Sequence, residues 1–291
     1  MEMAYYPGCS LHATSAFYDV QCRDVLSRLG VDLKEIKDWN CCGATSAAKT
    51  NEFLAVALPA RNLGLADASG YKEMMIPCAL CYSRTLLTQR ALEGDKDLRD
   101  SINADLSEKV QGKIKLLSIL DVLAGKVKSG ELAAGAEKKL AGLKPACYYG
   151  CLQTRYPMDI DIGGSVENPQ GMEIVCGVLG AEAIQWGYKT DCCGASASLN
   201  DTDVSLRLMS NIVRDAVARG ANCIITACPM CQLNLDAYQP KIGERYGISE
   251  RLPVFFITEL VGISMGIGAA ELQIDKHVIE AIELLKGLNL L

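Results

Sequence analysis

The segment Asn40-Cys41-Cys42-Gly43-Ala44 returns in the second half of the chain as Asp191-Cys192-Cys193-Gly194-Ala195, and reading this pair as a duplication decides the fold. Outward from it, Tyr5-Tyr6-Pro7-Gly8-Cys9 precedes the first copy and Tyr148-Tyr149-Gly150-Cys151 the second. Downstream, Ile76-Pro77-Cys78-Ala79-Leu80-Cys81 matches Ala227-Cys228-Pro229-Met230-Cys231. Spacing agrees with order: 31 residues separate Cys9 from Cys41, and 40 separate Cys151 from Cys192. From the vicinal pair to the C-x-x-C the gaps are 35 and 34 residues. Ten cysteines thus fall into two copies of one five-part motif.

The flanks repeat as well. Leu29-Gly30 and Leu179-Gly180 read as helix ends before each pair, and Met74-Met75-Ile76 and Cys223-Ile224-Ile225-Thr226 as strands feeding each C-x-x-C. A second strand and helix follow each time, Ile114-Lys115-Leu116-Leu117 before Asp121-Val122-Leu123, and Val254-Phe255-Phe256-Ile257 before Glu259-Leu260-Val261. Short strands precede Cys9, Cys78, Cys147 and Cys228. Apolar periodicity predicts helices over 13–29, 50–69 and 201–219, and Asn168-Pro169 predicts an N-cap and first-turn proline for a helix over 169–179. The loop 155–167 accounts for the longer gap in the second copy. Strand and helix alternate, which predicts an α/β chain of two pseudo-symmetric domains, each a small layered sheet with flanking helices. The expected boundaries are 1–143 and 144–291, joined through the Lys/Gly/Ala-rich stretch 135–144, which reads as a linker or a mobile helix end.

Composition narrows the function. With 291 residues and 49% apolar content the chain can build substantial cores. Its net charge of −6 leaves no electrostatic footprint for nucleic acid. No apolar run is long enough for a membrane span, and Met1-Glu2-Met3-Ala4-Tyr5-Tyr6 lacks the basic region of an export signal, so the expected location is the cytoplasm. Fourteen cysteines in that reducing compartment point to metal or redox chemistry, not disulfides. His12 and His277 are the sole histidines, which weakens every mechanism built on a histidine base or a histidine-rich zinc centre.

A C-x-x-C turn aims two thiolates at one inorganic core, and the glycine after each vicinal pair permits a turn that lets adjacent sulfurs converge. Alternatives stand beside this reading. Each C-x-x-C alone reads as a thioredoxin-like dithiol or half of a zinc site. Zinc would leave one thiolate idle per copy and a dithiol three, so iron–sulfur ligation fits the count better. Five ligands exceed the four of a cubane cluster and hint at an unusual shape. Cys22, Cys147, Cys176 and Cys223 lie outside the motif and read as small buried hydrophobes.

On these motifs the chain resembles the cysteine-rich CCG domain family over nearly its whole length. Pro77-Cys78-Ala79-Leu80-Cys81, Cys228-Pro229-Met230-Cys231-Gln232-Leu233-Asn234-Leu235 and Glu167-Asn168-Pro169 resemble in particular its B-type subunits of the heterodisulfide reductases of methanogens. That resemblance implies two noncubane [4Fe–4S] clusters, one held by Cys9, Cys41, Cys42, Cys78 and Cys81, the other by Cys151, Cys192, Cys193, Cys228 and Cys231. Cys147 is a rival for Cys151, set aside because it falls on the preceding strand. The implied reaction is reduction of the coenzyme M–coenzyme B mixed disulfide by homolytic S–S cleavage between the clusters, and the implied partners are a small iron–sulfur subunit and a flavin subunit, with hydrogenase or formate dehydrogenase upstream. Arg84, Arg155, Lys49 and His12 are candidates for the anionic groups of that substrate, against the plainer reading of solvated charges. Tyr5, Tyr6, Tyr148 and Tyr149 read as core packing. Gly262 to Gly268 lack the strand–turn–helix setting of a nucleotide site, so electrons must come from a partner. The competing readings are a non-catalytic electron relay of a dehydrogenase or sulfur-oxidation complex, and a chain with structural zinc in one half.

Overall fold

A computed structural model of the chain describes residues 1–44, 46–154, 164–198 and 200–291. Two parallel sheets organise it. The first runs β2-β1-β3-β4, with β1 at Glu2–Tyr5, β2 at Asp32–Glu35, β3 at Glu73–Ile76 and β4 at Lys115–Ser118. The second runs β5-β6-β7, with β5 at Pro145–Cys147, β6 at Cys223–Thr226 and β7 at Val254–Phe256. The central strands are apolar on both faces: Met74, Met75 and Ile76 are fully buried, as are Cys223, Ile224 and Ile225. That is the signature of parallel strands covered by helices on each side.

Every strand pair is parallel, so chain reversal runs through helices and all the strand C-termini face the same way within a sheet. The motif cysteines lie just past those C-termini, where open α/β sheets gather their functional loops. The second sheet has one strand fewer. In place of a partner like β2, residues 182–184 lie along β5 through two bonds, Glu182 N–H to Leu143 O and Ile184 N–H to Pro145 O.

Several predicted helices shift for identifiable reasons. The 13–29 pattern forms a helix at Ala16–Arg28, preceded outside that span by a 3₁₀ turn at Cys9–His12. The 50–69 pattern begins with a short helix at Ala47–Thr50. It restarts at Glu52–Ala68 because extended Asn51 caps the new helix, accepting from Leu54 N–H at 3.1 Å. Thr202–Ala218 carries the third, capped by Asp201. The fourth starts at Gly171, not at Pro169: Asn168 does not cap it, since its Oδ1 accepts from Lys189 Nζ at 3.1 Å and from Gln170 Nε2 at 2.8 Å. The 135–144 stretch is packed: Leu140 and Leu143 are fully buried, and Glu137 and Lys138 donate backbone bonds to Ser264 O. Gly262 sits inside the helix Ile257–Ser264, where a Cβ would meet Leu272 at 2.6 Å, so it serves helix packing.

The halves share a core. Helix Ala16–Arg28 packs on helix Ile257–Ser264, and Tyr18 stacks on Phe256 with ring centroids 3.7 Å apart. Buried Gln21 donates to Glu259 Oε1 at 2.9 Å and to Leu272 O at 2.7 Å. Glu259 also accepts from Phe256 N–H and meets His277 Nε2 at 2.9 Å, the side chains being 0% and 1% exposed. Burial pulls the His277 pKa down, but the Glu259 carboxylate, with Asp236 and Asp275 behind it, brings it above the usual value.

Removing Glu259 would strand Gln21, His277 and a backbone N–H in the core. Glu259→Leu is therefore expected to cost about 3–5 kcal/mol in a denaturant melt. A folded pKa above the unfolded value of about 6.5 makes the His277 contribution complete below that pH and lost as pH climbs through the raised value. Thermal scans of the wild type should show stability falling over that window, and His277→Gln should flatten the slope.

Candidate metal centre

Each set of five thiols is assembled from three loops. Gly8 and Gly150 sit at positive φ, 75° and 67°, immediately before Cys9 and Cys151. A Cβ on Gly8 would lie 2.8 Å from Cys81 Sγ, and one on Gly150 3.1 Å from Cys231 Sγ. Glycine is thus required twice by one close approach, that of the first loop to the second sulfur of the C-x-x-C. The vicinal pairs follow: Gly43 and Gly194 turn the chain back at φ 68° and 77° and direct their N–H groups to Cys41 Sγ at 3.5 Å and Cys192 Sγ at 3.3 Å. The C-x-x-C turns close the sets, with Cys78 and Cys228 as N-caps of helices Ala79–Gly94 and Pro229–Ala237.

Within each vicinal pair the two sulfurs also reach sulfurs of different loops. Cys41 Sγ lies 3.8 Å from Cys9 Sγ, while Cys42 Sγ lies 3.3 Å from Cys81 Sγ. The second half repeats this: Cys192 bonds Cys151, and Cys193 Sγ lies 3.6 Å from Cys231 Sγ. Across the molecule Ala79 and Leu80 of the first C-x-x-C turn line one cleft with Cys228 and Cys231 of the second, so the two turns lie side by side.

Hydrogen bonding among packed thiols splits their acidities. The thiols of Cys41 and Cys81 donate to Cys42, and with Ala44 N–H and the Arg84 charge they hold it far below the usual thiol value, although burial opposes this. Cys228 is lowered likewise, by Cys231 and Cys78 and by the backbone N–H groups of the helix it caps. Cys81 and Cys231 are pushed up, being donors in those same contacts and deeply buried.

The donor set suits a multi-atom, electron-poor core. Two thiolates on one tetrahedral ion at about 2.3 Å stand about 3.8 Å apart, close to the 3.8 Å and 3.6 Å seen here. Among the described residues no three Cys, His, Asp or Glu side chains converge as a single ion would require. The sulfurs follow one another in contact, and a cationic core held by several of them would relieve the repulsion that arises when the thiols ionise.

A cleft opens beside the second set. It is lined by Cys151, Cys192, Cys193, Cys228 and Cys231 together with Tyr149, Leu152, Ser196 and Met230, and by Ala79 and Leu80 from the first half. A neighbouring cleft shares Ala195, Ser196 and Met230 and brings in Lys49, Asn200, Asn234 and Tyr238.

The candidate cations are placed unevenly. Arg84 is half-buried, donates to Ala44 O at 3.4 Å and acts on Cys42; Lys49 is exposed on the rim of the neighbouring cleft. His12 turns to Glu35 at 3.4 Å and to the edge of Trp39. Arg155 lies outside the described residues. All four tyrosines are buried. The hydroxyls of Tyr5, Tyr6, Tyr148 and Tyr149 donate to Asp19, Asn40 O, Asp191 O and Glu173 respectively.

Tyr6 and Tyr148 are the structural equivalents, since both donate their N–H to the central strand and their hydroxyl to the residue before a vicinal pair. Cys147 therefore matches Tyr5, not Cys9. It is fully buried against Cys176, and Cys22, Cys176 and Cys223 are buried as completely. Sequence reasoning missed the ion pair of Lys189 with Glu173, 2.5 Å apart and 4% and 9% exposed, which anchors Tyr149. A lysine between Tyr188 and Thr190 carries no local sign of burial.

The profile of the cysteine-rich CCG domain matches residues 3–84 and 146–236. The 8-methylmenaquinol:fumarate reductase membrane anchor subunit of Wolinella succinogenes is 33% identical over 97% of this chain and 99% of its own. The B-type subunit of the ferredoxin:CoB-CoM heterodisulfide reductase of Methanosarcina mazei is 26% identical over 89% and 88%. A hypothetical protein from Helicobacter pylori shares the fold, with a TM-score of 0.73 and 13% identity over 96% of this chain and 52% of that one.

Gly8→Ala should strain the left-handed backbone and press on Cys81, costing about 1–3 kcal/mol. The expected readout is a lower melting temperature with faster alkylation of Cys81, and a smaller change of the same sign for Gly150→Ala.

Proposed function

The chain belongs to the cysteine-rich CCG domain family, and from that premise we propose that it is the disulfide-reducing subunit of a heterodisulfide-reductase-type complex, carrying two noncubane [4Fe–4S] clusters. Cys9, Cys41, Cys42, Cys78 and Cys81 hold one cluster; Cys151, Cys192, Cys193, Cys228 and Cys231 hold the other. One observation carries the reading: two five-sulfur sets built to the same plan bring their C-x-x-C turns together at one shared cleft. Bound there, the clusters supply one electron each, which together make the two that a disulfide requires.

The residues of the chain do the rest. Leu80, Leu152 and Met230 give the cleft apolar walls that favour alkyl chains and exclude water. Lys49 and Arg84 place positive charge on the side of the first half, where anionic ends of a substrate would be drawn, with Arg155 a further candidate. The first domain is assigned residues 1–143 and the second 144–291, each with its own sheet. Electrons come from a small iron–sulfur subunit fed by a flavin subunit, in a complex assigned to the cytoplasm. No helix among the described residues is long and apolar enough to cross a membrane. The substrate is the class named for the Methanosarcina relatives, a mixed disulfide of coenzymes M and B.

A second reading has a specific observation behind it. The fumarate reductase relative stands at 33% identity, above the 24% to 26% of the heterodisulfide reductase relatives. On that reading the same two clusters relay electrons between a quinol and a partner subunit, and no disulfide is turned over.

Anaerobically prepared protein should contain iron and sulfide for two clusters, and Cys42→Ser or Cys193→Ser should each remove about half of it. Adding the mixed disulfide to the oxidised protein should create a new paramagnetic signal. A silent spectrum with both clusters intact would favour the relay, and about one zinc per chain with half the iron would defeat both readings.

A further inference from the structure

The hydroxyl of Tyr18 lies 3.3 Å from Ala227 O and 3.5 Å from Pro77 O. These are the carbonyls immediately before Cys228 and Cys78, equivalent points in the two copies. A single phenol therefore reaches the start of both C-x-x-C turns. Both distances exceed the roughly 2.7–2.8 Å of an unshared O–H···O bond, as one proton divided between two acceptors requires. The ring is held rigidly, fully buried and stacked on Phe256 with planes only 4° apart.

Packing alone does not account for that oxygen. Phenylalanine would fill the same space, and a buried hydroxyl costs free energy unless its bonds do something in return. Its helix is also fixed to the far half, because Gln21 on the next turn is bonded to Glu259 and Leu272 O. Tyr18 is thus a crossbar whose own mount spans the same divide.

We infer that Tyr18 is a positioning residue that sets the distance and orientation between the two C-x-x-C turns, and so the mutual influence of the redox centres they hold. This rests on the proposed two-cluster reading. Each C-x-x-C supplies two of five sulfurs from the N-terminus of a helix, so a tilt of either turn moves its cluster relative to the other. Charges interact as the inverse of their separation, and the second electron arrives against the field of the first. The gap between the two reduction potentials therefore reports the geometry that Tyr18 maintains.

The test is a redox titration of the iron-loaded full chain, followed by EPR, for wild type, Tyr18→Phe and Phe17→Leu. Phe17 packs on Phe256 and His277 in the same seam without touching either carbonyl, so it controls for general loosening. Tyr18→Phe is expected to keep its iron and its fold but to change the equilibrium constant between the two one-electron steps by about threefold or more, or roughly 30 mV at 59 mV per tenfold. Phe17→Leu should lower the melting temperature and leave that constant unchanged. Potentials identical to wild type in Tyr18→Phe, an equal change in both variants, or unfolding of Tyr18→Phe would each overturn the inference. Wild-type protein without iron would instead overturn the reading beneath it.

Discussion

The convergence of the two C-x-x-C turns on one cleft is the constraint from which the rest of the structure follows. Two such turns can lie side by side only if the helices they cap start close together, and each helix starts where a central parallel strand ends. β3 and β6 must then direct their C-termini toward each other. Everything else is arranged around that meeting: first-loop glycines that admit a sulfur, vicinal pairs that split their sulfurs between neighbours, and a cleft lined by both halves.

Such a site is expensive in the free chain. Most of the motif sulfurs are buried among one another, and ionising several of them would place like charges a few ångströms apart in a low-dielectric interior. The surrounding scaffold holds them there regardless. A core spans both sheets, and the Gln21, Glu259 and His277 network ties the first half to the C-terminal segment. Asp236 tightens this further by accepting from the N–H groups of Val278 and Ile279.

Much of this was legible in the sequence, because the signals are local. Five-part cysteine spacing, apolar strands before each C-x-x-C and the glycine after each pair all sit within a few residues of what they determine. The missed features are long-range or ambiguous at short range. Tyr-Tyr occurs in both copies, yet the equivalence is Tyr6 with Tyr148, because only the hydrogen-bond register on the sheet distinguishes the two. Asn168 before Pro169 has the local form of a helix start, but buried Lys189, 21 residues away, takes its side chain. Tyr18 reads as one more apolar position on a helix; its role depends on carbonyls 59 and 209 residues distant.

The two copies have also diverged in ways that bear on how they divide the work. Cys9 and Cys41 are exposed, whereas Cys151 and Cys192 are only half-exposed and line the cleft. Beside the first set, the helix Glu52–Ala68 carries exposed Phe53 and Leu54 in its first turn; its counterpart in the second half, Thr202–Ala218, opens with Thr202 and Asp203. Duplication supplied two equal sulfur sets, and the strict equivalence is kept only where the sulfurs touch one another. Outside that zone one set faces the surface and the other a sheltered cleft. The first set is thereby left open to whatever approaches from solution, while the second is reached through a cleft to which both halves contribute walls.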